Sequence, residues 1–124
     1  MSRGKVYETQ FGKMYQILLN KVLKKERTEE EFMQVLLWFG GYTPEQIQEM
    51  REDEYCSYKD FFDNAPCLNP NRTLIKGTVC RVRIEEISDP LMLEIRRMDK
   101  LVDELANGKS MDKILRKPEE EGHS

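Results

Sequence analysis

The chain has 124 residues, with 20 Lys and Arg against 23 Asp and Glu and a formal net charge of −3. That length suits one hydrophobic core, and balanced charge with 9% aromatic residues describes a folded domain and not a disordered polyelectrolyte. The weak negative field gives no pull toward polyanions. No apolar run nears the roughly 20 residues that crossing a bilayer requires, and the N-terminus lacks a signal-like apolar stretch, so a cytoplasmic chain without membrane contact is expected.

The first long element is predicted from about Gln10 to Lys25. Phe11, Met14, Tyr15, Leu18 and Val22 share one helix face, Leu19 and Leu23 widen it, and Lys13, Asn20 and Lys24 lie opposite. The arc is too broad and its polar face too poor in lysine for a membrane-surface helix; a core helix is expected. Thr28-Glu29-Glu30-Glu31 is a capping box, in which hydroxyl and carboxylate each satisfy an orphaned backbone amide. Phe32, Val35, Leu36 and Phe39 then repeat at helical spacing, with Trp38 thickening the apolar side. Gly40-Gly41 ends that helix. Thr43 and Pro44 open another as N-cap and first residue, with Gln46 as reciprocal cap and Tyr42 and Ile47 as a staple.

This third helix turns acidic through Glu49, Glu52, Asp53 and Glu54. Ser57 can cap a further turn or two carrying Tyr58, Phe61 and Phe62 over the core. Ala65-Pro66 and Asn69-Pro70-Asn71 read as irregular chain, because a residue before proline is pushed out of the helical region. Residues 73 to 87 fit two patterns. Ile75, Val79 and Val82 suit a helix face, whereas Cys80, Val82 and Ile84 alternate with Arg81, Arg83 and Glu85 as in a strand, for which Val6 to Thr9 is the obvious partner. An isolated ribbon needs helix packing to persist, and the segment is read as helix with a strand as the alternative.

Asp89-Pro90 opens the longest helix, striped by Leu91, Ile95, Met98, Val102 and Leu105. Its other face pairs Glu94 with Arg97 and Lys100 with Glu104, which reads as a solvated face. Asn107-Gly108 closes it, and Ser110 is placed to cap a short last helix through Ile114 and Leu115. The expected architecture is therefore mainly α: one domain over residues 1–117, a compact bundle of five or six short helices, and a disordered acidic tail at 118–124.

Three blocks carry a family resemblance. They are Gly4-Lys5-Val6-Tyr7-Glu8-Thr9-Gln10-Phe11-Gly12-Lys13-Met14-Tyr15; Asn69-Pro70-Asn71-Arg72 through Val79-Cys80 to Val82-Arg83-Ile84-Glu85-Glu86-Ile87; and Asp89-Pro90-Leu91-Met92 with Asp99-Lys100-Leu101-Val102-Asp103-Glu104-Leu105 and Met111-Asp112-Lys113-Ile114-Leu115. In these the chain resembles an uncharacterised bacterial family known only as domain of unknown function 2200. The resemblance covers nearly everything up to Lys117. It implies a mainly helical fold, which favours helix at 73–87, and it implies no activity, cofactor or catalytic residue.

Reactive chemistry is sparse. The sole histidine, His123, lies in the expected tail, so Cys–His and Ser–His machinery has no base. Adjacent pairs such as Glu85-Glu86 and Asp53-Glu54 diverge on a helix instead of converging on a substrate. Calcium-loop and phosphate-cradle spacings are absent, and no cofactor or metal is expected. Cys56, Cys67 and Cys80 form no CxxC pair and read as buried, reduced thiols. Thr28 to Met50 has the outline of a helix–turn–helix. Its second helix, however, offers Glu45, Glu49 and Glu52 against only Arg51, and carboxylates oppose phosphate binding; nucleic acid is not an expected partner.

The candidate ligand site is the loop Asn69, Asn71 and Arg72, where an arginine and backbone amides before a helix start could hold an anion. Against this stands the simpler possibility that the asparagines cap their own loop. The leading functional expectation is a non-catalytic protein-interaction module, with a protein partner or self-association. Its basis is the abundance of large apolar side chains (Phe11, Met14, Phe32, Met33, Trp38, Tyr42, Phe61, Phe62, Met98), some of which a small domain could leave exposed. The rival is an enzyme or binder of a small polar or anionic ligand that uses Arg72, Arg81 or Arg83.

Overall fold

Local capping chemistry sets the helix starts. In the computed structural model, which describes residues 3–117, Thr28 accepts from the Glu31 amide at 3.1 Å while the Glu31 carboxylate takes the Thr28 amide at 3.0 Å. Thr43 and Gln46 repeat the exchange at 3.1 and 2.9 Å, and Ser57 and Asp60 do so at 3.1 and 3.0 Å. Asp89 accepts from Met92 ahead of Pro90. Among the described residues these caps and the apolar stripes give six α-helices: Phe11–Lys24 (α1), Glu29–Gly40 (α2), Pro44–Glu52 (α3), Tyr58–Asp63 (α4), Pro90–Ala106 (α5) and Met111–Ile114 (α6). Short 3-10 turns occupy Arg3–Glu8, Pro70–Leu74 and Ile84–Glu86. Ser110 stands at the N-cap of α6, but its side chain makes no capping bond. The acidic tail expected at 118–124, with His123, lies outside the described residues.

Helices α1 and α5 pack on each other at the centre, with α2, α3 and α4 against α1 and with α2, α4 and α6 also against α5. Between them sits an aromatic cluster. Phe61 stacks on Phe11 and Tyr42 at 5.4 and 5.0 Å between ring centroids, and meets Phe62 edge-on at 5.0 Å, arrangements that suit the ring quadrupole. Close approach of α3 to α1 depends on Gly12, where a Cβ would stand 2.5 Å from the Arg51 carbonyl oxygen. Arg27 ties two ends together: its guanidinium pairs with Glu31 through Nε and Nη2, both at 3.1 Å. Its Nη1 donates to the Leu105 and Lys109 carbonyls at 3.0 and 2.9 Å, satisfying acceptors at the α5 C-terminus.

Several expectations change. Residues 73–87 do not form a helix; they carry an antiparallel hairpin, Thr78–Val79 (β1) and Val82–Arg83 (β2), with Val79 opposite Val82. Cys80 and Arg81 make its two-residue turn at φ 53° and 67°, the positive values that match the right-handed twist of the strands. Val6 to Thr9 supplies no partner strand, since it lies mostly in the first 3-10 turn. Packing on α5 stabilises the ribbon: Val79 and Ile84 are buried, and Lys100 donates to the Thr78 carbonyl at 3.0 Å. Nor is the charged side of α5 a solvated face. Glu104 is buried, held by Arg116 at 2.5 and 2.9 Å, and Glu94 is covered by Arg72. Leu23, placed on the apolar arc of α1, is 46% exposed. Of the three cysteines only Cys56 is buried; Cys67 and Cys80 are exposed.

Candidate functional site

The loop singled out from sequence is structurally occupied. Asn69 accepts from the Asn71 amide at 2.9 Å and so caps its own turn. Arg72 clasps Glu94 with two bonds of 2.9 Å and donates Nη1 to the Asn69 carbonyl at 3.0 Å. Arg97 leans on the same carboxylate at 3.3 Å, with its Nε buried and unpartnered among the described residues. Asn71 instead lines a shallow depression with Trp38 and Leu115. Arg81 is at the exposed hairpin tip, and Arg83 faces Glu86 at 4.0 Å; neither shares a partner with Arg72. On α3, Arg51 lies 4.1 Å over the Tyr15 ring, a cation–π contact that turns it toward the protein.

A different set of residues converges on a recess of about 530 Å³. Its walls are Met14 of α1, Met92 and Ile95 of α5, Val82 of the hairpin, Ile87 after the third 3-10 turn, and Val6 of the first. Tyr58 of α4, Arg96 and Asp99 supply the polar groups. Helical geometry puts Arg96 and Asp99, three residues apart, on one side of α5, and Arg96 Nη1 donates to Asp99 Oδ2 at 3.1 Å. Among the described residues, that pair uses one nitrogen and one oxygen and leaves the remaining guanidinium donors available. The recess has the size and mostly apolar lining common to small-ligand sites.

Tyr58 is the unusual member. It is only 2% exposed, its ring meets Phe62 edge-on at 5.1 Å, and its hydroxyl has no hydrogen-bond partner among the described residues. Burial pushes its phenol far above the usual range, reinforced by the Asp99 carboxylate and opposed by Arg96. The group therefore stays protonated, a donor without an acceptor. Such a group costs about 1–3 kcal/mol and is uncommon in native interiors. By contrast the Tyr42 hydroxyl donates to the Phe61 carbonyl at 2.7 Å, and that of Tyr15 to Glu29 at 2.6 Å. Asp99, also poorly solvated, has its carboxyl raised from the ordinary 3.8 by burial and drawn back by Arg96.

Sequence reasoning missed this set. In sequence Tyr58 has the pattern of a core aromatic, which its ring is, and an opposite-charge pair three residues apart on a helix looks like any surface pair. No local signal marks the recess, because its residues are scattered from position 6 to position 99. Other chemistry is muted. Cys56 has its thiol pushed up to about 11 by burial, with Asp60 and Asp53 adding to the effect; a thiol so placed is a poor nucleophile. No cluster of His, Cys, Asp and Glu able to hold a metal ion occurs among the described residues.

Fold and site together define a small, mainly helical domain with a side recess of apolar walls and a few polar groups. The chain belongs to the family described as uncharacterized protein conserved in bacteria (DUF2200), whose sequence model matches residues 5–116. Among solved structures it is similar to one titled as the crystal structure of uncharacterized protein SP1917. The two are 44% identical, with a TM-score of 0.85 over 93% of each chain. No curated protein matches. The function of the family is unknown, and neither similarity assigns catalysis or an interaction partner.

Proposed function

We propose that this domain is a non-catalytic binding protein of the cytoplasm, and that its ligand is a small, largely apolar molecule with a polar head, seated in the recess lined by Tyr58, Arg96 and Asp99. The carrying observation is the buried Tyr58 hydroxyl, unpartnered among the described residues, since a ligand acceptor would satisfy it. Supporting it, the walls are apolar and the polar groups few and convergent. None of the described helices is long and apolar enough to cross a membrane. The binding test is a thermal-shift screen of metabolites against the chain and against Ile87→Trp, which fills the recess from its wall. A ligand at about a hundred times its dissociation constant adds roughly 2.7 kcal/mol of stability. Hits that Ile87→Trp abolishes are expected; a screen whose hits all survive that substitution refutes the reading.

A second reading, contact with a protein partner or with a second copy, rests on Ile17, Leu23 and Tyr55, exposed by 51, 46 and 85%. It has lost much of its first motive, because Phe11, Met14, Phe32, Tyr42, Phe61, Phe62 and Met98 are all buried in the core. A strictly monomeric light-scattering mass at high concentration removes self-association. Nucleic acid is the least favoured partner, with Arg51 held over Tyr15; retardation of DNA or RNA at about 50 mM salt, where electrostatic binding is strong, would reverse that view.

A further inference from the structure

We infer that the head group the recess accepts is a zwitterion, and that the ligand class is a free α-amino acid with a large apolar side chain. Arg96 meets the carboxylate, Asp99 meets the ammonium, the buried Tyr58 hydroxyl adds a hydrogen bond once the ligand reaches it, and the apolar walls receive the side chain. The inference rests on the recess being a ligand site at all, and it deepens that reading by way of charge balance. Arg96 and Asp99 carry opposite charges 3.1 Å apart. The exposed pair Lys21 and Asp103, 3.6 Å apart, also sums to zero, and both act on Asp99, itself largely buried. In so poorly solvated a place an unbalanced charge is costly.

Each simpler head group fails on one side of the pair. A monocarboxylate satisfies Arg96 but is repelled by Asp99. A primary amine satisfies Asp99 but is repelled by Arg96. A neutral ligand leaves both charges to be desolvated with no new partner. A zwitterion brings one opposite charge to each and keeps the sum at zero, and its carboxylate has acceptor capacity left for the Tyr58 hydroxyl. The apolar share follows from Met14, Met92, Ile95, Val82 and Ile87, whose surface a branched or aromatic side chain would remove from water.

Methionine methyls make the test site-specific, because Met14 and Met92 line the recess while Met33 and Met111 line other depressions. The full chain, labelled with 13C-methyl methionine, is titrated with L-leucine and L-phenylalanine. It is then titrated with the matching amines, isopentylamine and phenethylamine, and the matching acids, 4-methylpentanoate and 3-phenylpropanoate. The amino acids are expected to shift Met14 and Met92 and to leave Met33 and Met111 in place, with amines and acids at least tenfold weaker. Asp99→Asn should weaken the amino acids about tenfold and leave the acids unchanged or tighter. Acids or amines that bind as tightly as amino acids overturn the zwitterion assignment while leaving the recess a binding site. If none of the three series moves Met14 or Met92, the assignment falls, and the recess remains to be judged by the metabolite screen. The ligand comparison is made on the unsubstituted protein, so it stands even if Asp99→Asn folds poorly.

Discussion

Replacing Tyr58 by phenylalanine should make the protein more stable. The hydroxyl sits in a 2%-exposed residue and has no hydrogen-bond partner among the described residues, so the folded state bears a desolvation cost of about 1–3 kcal/mol. Deleting the oxygen leaves a small void; at roughly 24 cal/mol per Å³ and about 10 Å³, that offsets only about 0.2 kcal/mol. The net expectation is a gain of about 0.8–2.8 kcal/mol. An unfolding entropy of about 2.1 cal/mol/K per residue over 124 residues gives about 0.26 kcal/mol/K, so the gain corresponds to a rise in Tm of about 3–11 °C. Tyr42→Phe is the matched control, because its hydroxyl donates to the Phe61 carbonyl at 2.7 Å; it should lose about 0.5–1.5 kcal/mol. Urea unfolding followed by circular dichroism, with calorimetry for Tm, reads both variants. If Tyr58→Phe is destabilised by 0.5 kcal/mol or more, the hydroxyl has a partner in the free protein. The hydroxyl then awaits no ligand.

Other perturbations probe the scaffold. Arg116→Ala strands the buried Glu104 carboxylate, with only Lys109 at 3.6 Å left to it among the described residues; a loss of about 3 kcal/mol is expected in urea melts, and a loss below 1 kcal/mol would contradict it. Gly12→Ala drives a Cβ into the Arg51 carbonyl and should destabilise by about 1–3 kcal/mol as α3 moves off α1. Arg81→Gly relieves a positive φ of 67° at an exposed turn and should stabilise by about 0.5–1 kcal/mol, measurable by thermal unfolding. Glu31, with its carboxyl lowered from 4.5 to about 2 chiefly by the Arg27 hydrogen bonds, contributes stability above about pH 4.5 that fades as pH falls toward about 2. The stability difference between the chain and Glu31→Gln should therefore shrink across that window; a constant difference would refute the linkage.

What the sequence determined by itself is local. Thr28 with Glu31, Thr43 with Gln46, Ser57 and Asp89 start helices where the spacing said they would, because a cap is decided by residues within one turn of each other. The stripes of α1, α2 and α5 likewise followed from helical period alone, and they sufficed for the mainly α class. Tertiary structure decided the rest. The hairpin at 78–83 carries no Asn-Gly or Gly-Gly turn; Cys80 and Arg81 are held at positive φ only because Val79, Ile84 and Lys100 anchor the ribbon to the domain. The charges of α5 were legible as charges, but burial of Glu104 and the clasp of Arg72 on Glu94 depend on segments 12 and 22 residues away. The recess depends still more on distance, since Val6, Met14, Tyr58, Val82 and Arg96 meet only after α1, α4, α5 and the hairpin have packed. Local propensity is encoded residue by residue, whereas a concave surface and a buried hydroxyl without a partner among the described residues come from what long-range packing brings close and what it leaves unsatisfied.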